Sequence, residues 1–372
     1  MGRFATVDDD RIKRGECTDI YFVRTEEVLG LSGKNPEVVM EVTVSDLPGG
    51  FGILCGLDDV ITLLEDLPVS LDAMPEGSLF HPYEPVLRIR GKYGDFGRYE
   101  TAILGFLCHA SGIATAAARI KALAGEKAVY SFGSRRQHPA IAAMVERSAW
   151  IGGADGVSNT CAPEGIPLAG TMPHAFVMCY SRPEEAFVAF DRFADPVVPR
   201  IMLCDTYCDE KRESLAGARS GATGIRLDTP RSRRGNMRAI LEEVRWELDA
   251  AGYRQVKIVL SGGVTADDVR CYRDLVDAFG VGGAIANAPV IDFAMDIVEI
   301  EGKRCAKRGK RSGTKQVWET ASGDRIILPD GKSGPDGARP LIVPFLREGS
   351  VLSRPLTGES RGRVLTLLAR GT

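Results

Sequence analysis

The pattern of apolar and polar positions changes twice along this chain of 372 residues. In residues 1–124 alternating, strand-like runs lie between helix-like stretches, and a long alanine-rich helix closes the region. In residues 125–290 short apolar runs, each ending in glycines and polar residues, alternate with helical stretches. In residues 291–372 that alternation stops and strand-like pieces return. We therefore expect an N-terminal α+β domain, a central domain of βα units, and a C-terminal segment that returns to the N-terminal domain.

The central region contains the strongest pattern. Its apolar runs are AVYSFGS, GADGVSNT, IPLAGTMPH, PRIMLCDTY, GATGIRLDTP, VKIVLSGGVT and FGVGGAIANAP. The helical stretches between them are 139–151, 182–194, 208–219, 235–251 and 265–278. So many parallel βα units in roughly 165 residues favour an irregular or incomplete (β/α) TIM-like barrel. A doubly wound sheet is the alternative, but no G-x-G-x-x-G opens a helix after the first strand.

Composition narrows the class of protein. Hydrophobic residues at 44%, charged residues at 26% and a net charge of −3 are typical of a globular enzyme and give no basic footprint for nucleic acid. Nine cysteines without C-x-x-C pairs predict reduced, structural thiols. The N-terminus lacks the apolar segment of a signal peptide, and no run approaches the length of a membrane span. We expect a cytoplasmic protein without nucleic-acid or membrane partners.

The stretch SFGSRRQHPA at 131–140 concentrates candidate chemistry. It places the ring of Phe132, the guanidinium groups of Arg135 and Arg136, and several loop N–H groups after one apolar strand. Such a loop suits a flat, anionic, aromatic ligand that carries phosphate. A surface ion-pair loop before a helix is the alternative.

Polar residues also follow the other strands, where barrels carry their chemistry. They are Asn159, His174, Asp205, Arg226, Asp228, Ser261, Gly262, Gly263, Gly282 and Gly283. The paired glycines let backbone N–H groups approach a phosphate. Asp205 and Asp228 can hold Mg²⁺ or stabilise a sugar cation, although Asp228 also suits a helix N-cap. His174 can be a general acid or base, a phosphate ligand, a phosphorylated nucleophile or a structural turn residue.

The C-terminal segment holds a basic run at 303–315. Such a run is most often a solvated hairpin, and the alternative is that it lines an anion site. It is too short and too isolated to indicate nucleic-acid binding.

Taken in order, the motifs resemble one family. They are TDIY, SFGSRR, SNT, GTMPH, LCDTY, IRLDTP, LSGGV and FGVGG, followed by AKRGKRSGTKQV. Together they resemble the nicotinate phosphoribosyltransferases over most of the chain. The resemblance implies the type II phosphoribosyltransferase fold. It also implies the reaction of nicotinate with 5-phosphoribosyl 1-diphosphate to nicotinate mononucleotide and diphosphate, in NAD biosynthesis.

The resemblance further implies residue roles. The pyridine ring would stack between Phe132 and Tyr21 of a partner subunit, which requires a homodimer with a shared site. The resemblance places Arg135 at a ligand phosphate or carboxylate, Arg226 and Asp228 at the ribose and its phosphate, and Asp205 near the diphosphate and Mg²⁺. It places the 5′-phosphate at Gly262, Gly263, Gly282 and Gly283. It also implies that His174 is the histidine that is phosphorylated when ATP hydrolysis is coupled to the reaction.

Two departures from the family pattern bear on specificity. Asn159 is neutral where the nicotinamide-using branch carries an acid, which favours a base with a carboxylate. Thr229-Pro230 replaces the Ser-Gly of that branch. The compact length places the chain nearer the short prokaryotic-type members of the family, so ATP coupling is less secure than the transfer itself. Quinolinate phosphoribosyltransferase (decarboxylating) is the enzyme alternative, and a non-catalytic protein that binds a phosphoribosyl ligand is the other.

Overall fold

The computed structural model describes residues 4–229 and 235–371. These form two compact units, described separately below. Unit 1 combines the chain up to Thr115 with Pro289–Arg370, and unit 2 contains Ala116–Ala288. A single helix, Glu100–Ala124, continues from the first unit into the second.

The α-helices of the described residues are numbered in chain order. They are α1 (Asp9–Lys13), α2 (Ile20–Leu31), α3 (Leu57–Leu64), α4 (Tyr93–Phe96), α5 (Glu100–Ala124), α6 (Ala142–Ile151), α7 (His174–Met178), α8 (Pro183–Phe193), α9 (Glu210–Arg219), α10 (Met237–Ala250), α11 (Ala266–Tyr272), α12 (Gly283–Ala286) and α13 (Thr357–Ala369).

The strands are numbered in the same way. They are β1 (Glu37–Thr43), β2 (Gly52–Ile53), β3 (Ser70–Ala73), β4 (Leu79–Phe80), β5 (Leu87–Lys92), β6 (Ala128–Ser131), β7 (Gly156–Val157), β8 (Ile201–Leu203), β9 (Gly224–Leu227), β10 (Lys257–Leu260), β11 (Ala278–Val281), β12 (Ala294–Ile300), β13 (Lys303–Arg304), β14 (Lys315–Glu319), β15 (Arg325–Pro329), β16 (Arg339–Pro340), β17 (Val343–Arg347) and β18 (Ser350–Val351).

Unit 1 is built on a seven-stranded antiparallel sheet in the order β13-β12-β1-β5-β3-β17-β18. Strands from both ends of the chain therefore share one sheet. The core packs apolar side chains of β1, such as Val42, against the apolar face of α3, such as Ile61, and both are fully buried. A small sheet of three strands, in the order β15-β14-β16, belongs to the same unit.

Unit 2 contains six parallel strands in the order β7-β6-β11-β10-β9-β8. Because β7 and β8 are the edges and do not pair with each other, the barrel is incomplete. The prediction of an irregular or incomplete (β/α) barrel is confirmed, and the doubly wound alternative is set aside. These strands are apolar along most of their length, as expected for a parallel sheet that is covered on both faces.

Two predicted elements differ from the structure. IPLAG was expected to form a strand, but it makes only one isolated bridge, between Val157 and Leu168, because Pro167 has no N–H for a ladder. The helix expected at 265–278 ends at Tyr272, since the chain must leave it to enter β11 at Ala278.

The stretch Tyr93–Ala124 corrects a further expectation. By length and composition it could cross a membrane, whereas the sequence analysis expected no such run. In its most apolar window 61% of the residues are buried inside the protein. Burial of this extent is typical of the core helix of a globular protein, and such helices can be as long and as apolar as a membrane span.

Candidate active site

The structure brings the predicted polar residues of unit 2 to one edge of its sheet, because parallel strands all end on the same side. After the strands come Phe132 and Arg135 (β6), Asn159 (β7), Asp205 (β8), Asp228 (β9), Ser261, Gly262 and Gly263 (β10), and Gly282 and Gly283 (β11). Arg226 lies within β9, and His174 opens α7. We call these residues the carboxyl edge. Tyr21 lies in unit 1, on α2, and is 58% exposed.

Asp205 organises the acidic part of the carboxyl edge. Its Oδ2 accepts hydrogen bonds from the backbone N–H of Asp228 at 2.6 Å and from Thr229 Oγ1 at 2.8 Å. Its Oδ1 is buried and makes no hydrogen bond with the part of the chain that the structure describes. Burial raises the pKa of this carboxyl despite those bonds, and the neighbouring Asp228 adds to the rise. Asn236 caps α10, so that role does not fall to Asp228; Pro230, noted in the sequence, lies outside the described residues.

His174 faces both carboxylates. Its Nδ1 lies 3.1 Å from Thr206 Oγ1. Its Nε2 lies 3.9 Å from Asp205 Oδ1 and 3.9 Å from Asp228 Oδ2. The ring is thus fixed by one nitrogen and presents the other to a pair of acids. Of the four roles considered for this histidine, a purely structural one accounts for Nδ1 but not for the position of Nε2.

Arg226 points to the same face as Asp228, as their two-residue spacing on β9 predicts. Its Nη1 lies 3.5 Å from Asp228 Oδ2 and 3.4 Å from Ser261 Oγ, and its Nη2 donates to the carbonyl of Met172 at 2.6 Å. Burial lowers the pKa of this guanidinium. Asp228 and Asp205 oppose that lowering, and the positive charge of Arg135 lowers the pKa further. Most of the donors of Arg226 are therefore committed within the protein.

Two glycines at the carboxyl edge are required by space. Gly262 has φ +82°, and a Cβ there would lie 2.5 Å from the carbonyl oxygen of Asp228. Gly280, inside β11, would bring a Cβ to 2.5 Å from the ring of Phe132. Gly280 thus leaves the space in which the ring of Phe132 packs. The sequence analysis did not identify Gly280. Gly263, by contrast, faces open space, which leaves its surroundings accessible to a ligand.

The loop after β6 presents its cation to solvent. The N–H of Phe132 donates to the carbonyl of Val281 at 2.8 Å, which ties the loop to the next strand. Gln137 Nε2 donates to the carbonyl of Ala286 at 2.7 Å and fixes the other end of the loop. Arg135 is exposed and makes no hydrogen bond or ion pair with the described residues. The surface ion-pair alternative for this loop therefore finds no partner for Arg135.

Two buried carboxylates hold the loops of this edge, and sequence reasoning missed both. Glu146 on α6 is fully buried and accepts the N–H of Asn159 at 3.1 Å, while Asn159 Nδ2 donates to Ser134 Oγ at 3.1 Å. Burial raises the pKa of Glu146. Glu213 on α9 is also fully buried; its carboxylate accepts the N–H groups of residues 206, 207 and 208.

The predicted magnesium site can be tested against this donor set. Among the described residues, no three or more His, Cys, Asp or Glu side chains are arranged to hold a metal ion. Mg²⁺ is commonly bound through one or two carboxylates together with phosphate oxygens of a substrate. Asp205 Oδ1, buried and without a hydrogen bond, and Asp228 Oδ2 fit an ion of that kind. They do not fit a metal cage built from protein alone.

Known proteins resemble this chain over nearly all of its length. The family models for the N-terminal and C-terminal domains of quinolinate phosphoribosyl transferase match residues 19–111 and 113–296. Nicotinate phosphoribosyltransferase pncB1 of Mycobacterium tuberculosis is 30% identical over 327 residues, which are 81% of this chain and 71% of that protein.

Two solved structures extend the comparison. The nicotinate-nucleotide pyrophosphorylase from Pyrococcus furiosus is 48% identical, with a TM-score of 0.97 over 100% of this chain and 99% of that one. Human nicotinic acid phosphoribosyltransferase has a TM-score of 0.80 at 21% identity over 95% and 94% of the two chains, which shows a shared fold.

Proposed function

This chain belongs to the nicotinate and quinolinate phosphoribosyltransferase family, and from that premise we propose that it makes nicotinate mononucleotide and diphosphate from nicotinate and 5-phosphoribosyl 1-diphosphate. The family resemblance noted in the sequence is thereby confirmed. Membership makes the protein an enzyme of the phosphoribosyltransferase class in NAD metabolism. The choice of base, the coupling to ATP and the shared site are the proposal.

One observation supports nicotinate as the base. The loop after β6 contains both an aromatic ring, that of Phe132, and a positively charged side chain, Arg135, that has no ion-pair partner among the described residues. Phe132 is half-buried against Gly280, and Arg135 follows three residues later without a side-chain partner among the described residues. A pyridine ring can stack on Phe132 while its carboxylate binds the Arg135 guanidinium in the bidentate geometry that arginine favours. Asp205 and Asp228, on the same edge, then lie on the side where the ribose and diphosphate would bind.

The transfer needs no proton from the protein. The lone pair of the pyridine nitrogen forms a bond to C1 of the ribose while the bond from C1 to the diphosphate oxygen breaks, and that electron pair leaves with diphosphate. Positive charge develops on the ribose ring, and the Asp228 carboxylate can stabilise it. Mg²⁺, when bound by Asp205 and Asp228, supplies positive charge to the leaving diphosphate. The N–H groups around Gly262, Gly263, Gly282 and Gly283 would bind the 5′-phosphate.

His174 is therefore available for a separate step. With Nδ1 directed at Thr206, Nε2 is the nitrogen that can attack the γ-phosphorus of ATP; the P–N bond forms as the bond to ADP breaks. Asp205 and Asp228, each 3.9 Å from Nε2, favour a positively charged ring during that transfer. Water later hydrolyses the phosphohistidine. ATP coupling is thus proposed for Nε2 of this residue.

A second candidate is quinolinate phosphoribosyltransferase (decarboxylating), because the matching family models carry that description. Quinolinate carries two carboxylates on its pyridine ring, one of them next to the nitrogen, and would therefore need more positive charge from the protein than nicotinate. Arg226 is bound by Asp228 and by the Met172 carbonyl, which leaves Arg135 and Arg136 as the arginines free for ligand carboxylates at the described carboxyl edge. Nicotinate is the better match to that supply.

The deciding experiment compares the bases directly. Purified protein is incubated with 5-phosphoribosyl 1-diphosphate, Mg²⁺ and either nicotinate, quinolinate or nicotinamide, with and without ATP, and mononucleotide and diphosphate are quantified. We expect nicotinate to give the highest kcat/KM by at least about tenfold. Faster turnover of quinolinate with release of carbon dioxide would establish the second candidate. Binding of the substrates without diphosphate release would establish a non-catalytic ligand-binding protein.

The exposure of Tyr21 supports a homodimeric site. Its side chain, with Val28 and Leu31 on the same helix, is more than half exposed, which is unusual for three large apolar residues on α2. If Tyr21 completes the partner's site, a mixture of the inactive Tyr21→Ala and Arg135→Ala proteins regains activity, because one site of each mixed dimer then carries neither change. No recovery after subunit exchange would place Tyr21 and Arg135 in the same site of one chain.

A further inference from the structure

Unit 1 contains a second cavity that the proposed reaction does not use. It has a volume of about 630 Å³ and is lined by residues of the three-stranded sheet, of α13 and of β4. Ligand cavities of proteins commonly measure roughly 300 to 1,000 Å³. None of the candidate catalytic or substrate-binding residues lines it. Its lining charges are Arg325, Arg339, Arg363, Arg370, Glu319 and Glu359.

Positive charge is in excess in this cavity. Four arginines and two glutamates line it, so their formal charges sum to +2. Glu319 serves two guanidinium groups at once, with Oε1 3.0 Å from Arg325 Nη2 and Oε2 2.7 Å from Arg339 Nε. Arg363 is paired with Glu359 at 3.2 Å. The side chain of Arg370 makes no hydrogen bond or ion pair with the described residues. One carboxylate shared by two arginines, and one arginine left alone, make the cavity attractive to an anion.

Arg325 is the most buried of these arginines. Its side chain is only 10% exposed, and its Nη2 lies 3.0 Å from Glu319 Oε1 and donates to the carbonyl of Leu79 at 3.1 Å. Its Nη1 is buried, makes no hydrogen bond with the described residues, and lies 3.8 Å from Glu84, which is outside the cavity lining. Arg325 therefore contributes positive charge to the cavity wall, whereas the exposed Arg370 is an arginine that a ligand can contact directly.

The rest of the lining is apolar or neutral. Leu79, Leu341 and Leu367 contribute hydrocarbon surface, and Thr320 and Thr366 contribute hydroxyl groups. An inorganic anion would leave that surface unused, whereas a phosphorylated molecule with a flat organic body would cover it. Arginine forks bind phosphate oxygens in pairs, which suits this division of charge and apolar surface.

We propose that this cavity of unit 1 binds an organic phosphate of the nucleotide class, with its phosphate at Arg370 and its base against the leucines. The ligand is a separate molecule from the substrates of the carboxyl edge. Such a site gives the enzyme a place where a nucleotide can act on it without occupying the catalytic residues.

The test measures binding to the full-length protein by calorimetry, without nicotinate or 5-phosphoribosyl 1-diphosphate. The probes are AMP, adenosine and inorganic phosphate. We expect saturable binding of AMP, with adenosine and phosphate each at least about tenfold weaker because each lacks half of the contacts. Arg370→Glu should weaken AMP binding at least about tenfold, since it reverses a charge that no described bond holds in place.

Two matched variants separate the possible sites. Lys332→Glu makes the same change of charge on an exposed residue outside the cavity lining, and Arg226→Ala alters the carboxyl edge. Both should retain AMP binding, and thermal unfolding verifies that Arg370→Glu is folded; Arg370→Gln serves if it is not. If AMP binding were retained in Arg370→Glu but lost in Arg226→Ala, the proposal would be overturned. Adenosine binding as tightly as AMP, or no saturable AMP binding, would overturn it as well.

Discussion

Two charged regions of this chain differ in how completely their charges are paired. In the basic segment 303–315 of unit 1, Lys307 and Lys310 lie 2.6 and 2.9 Å from the two carboxylate oxygens of Asp296. Lys315 lies 2.6 Å from Glu41, which is almost fully buried. Although burial alone would raise it, the two lysines hold the pKa of Asp296 below its usual range. These charges stabilise one another.

The carboxyl edge of unit 2 is the opposite case. Among residues 4–229 and 235–371, Asp205 Oδ1 and Arg226 Nε are buried without hydrogen-bond partners, and Arg135 is exposed without an ion pair. The pKa of Asp205 is raised because burial outweighs its hydrogen bonds, whereas two lysines lower the pKa of Asp296. Charge left incomplete in this way is typical of a site that is completed by a ligand.

The contrast shows that charge density alone does not locate a site. The basic run is the densest positive stretch in the sequence, and its first residues form the hairpin that such runs usually form, with β13 against β12. Three of its lysines have acidic partners in the same unit, and its alternative role as an anion site stays a prediction. The two regions therefore differ in what a substitution should damage: folding in one, turnover in the other.

The largest effect is expected at Arg135. Replacing Arg135 with alanine should reduce kcat/KM for nicotinate by about a thousandfold, because the carboxylate of the base loses its charged partner. Since the side chain is exposed and unpaired, the melting temperature should stay unchanged. Arg135→Lys is the matched control and should recover part of the loss by restoring charge without the fork. Near-normal kinetics in Arg135→Ala would remove this loop from the site.

The second effect is on stability, at Lys315. Lys315→Met leaves Glu41 buried without its partner, and removing one member of a buried pair costs roughly 3 to 5 kcal/mol of unfolding free energy. Adding Glu41→Gln removes the stranded charge and keeps an acceptor for the N–H of Lys315, so the double variant should regain stability in denaturant titrations. The folded fraction of each should keep its turnover. A stable but inactive Lys315→Met would contradict the division between the two regions.

The third effect is a pH dependence in unit 1. Burial, with repulsion from Asp296 and Asp19 and a smaller opposing effect of Lys307, raises the pKa of Glu100 from 4.5 to about 7. The folded state therefore holds a proton that the unfolded state releases, and stability falls as pH rises through that window. Glu100→Gln should remove the slope and gain about 2 kcal/mol at pH 8, less than the roughly 3 kcal/mol that this pKa change corresponds to, because water screens a partly exposed carboxyl.

The control for this effect is Glu126→Gln, an exposed acid, which should leave the slope unchanged. Thermal unfolding followed between pH 4 and pH 8 gives the measurement for all three proteins. A slope that persists in Glu100→Gln would assign the dependence to another group.

Much of unit 2 could be predicted because its signals are local. Apolar runs ending in polar residues identified all the strands of the parallel sheet, and parallel pairing then required their ends to meet. The failure at IPLAG has a local cause as well, since Pro167 cannot take part in a ladder. The sequence shows which residues follow each strand, and the parallel topology then brings those residues to the same edge of the sheet.

The support of the site could not be predicted in the same way. Glu146 and Glu213 bind backbone N–H groups of loops that only the folded chain brings to them. Gly280 is identified only by the ring that packs against it. The pairing of Arg226 with the Met172 carbonyl joins residues from two distant loops. Each depends on tertiary contacts, which a pattern of apolar and polar positions does not encode.

The smallest effect is expected at His174, and it divides the functions within the carboxyl edge. Because the transfer moves no proton to the protein, His174→Ala should leave the ATP-independent rate within about threefold of the wild type while abolishing stimulation by ATP. Thr206→Val is the matched variant: it removes the partner of Nδ1 but keeps Nε2, so it should weaken the stimulation without abolishing it. Rates with and without ATP, together with ³²P transfer from γ-labelled ATP to the protein, provide the measurement. Unchanged stimulation and labelling in His174→Ala would exclude the phosphohistidine, whereas loss of both rates would give His174 a part in the transfer itself, through the two carboxylates 3.9 Å from its Nε2.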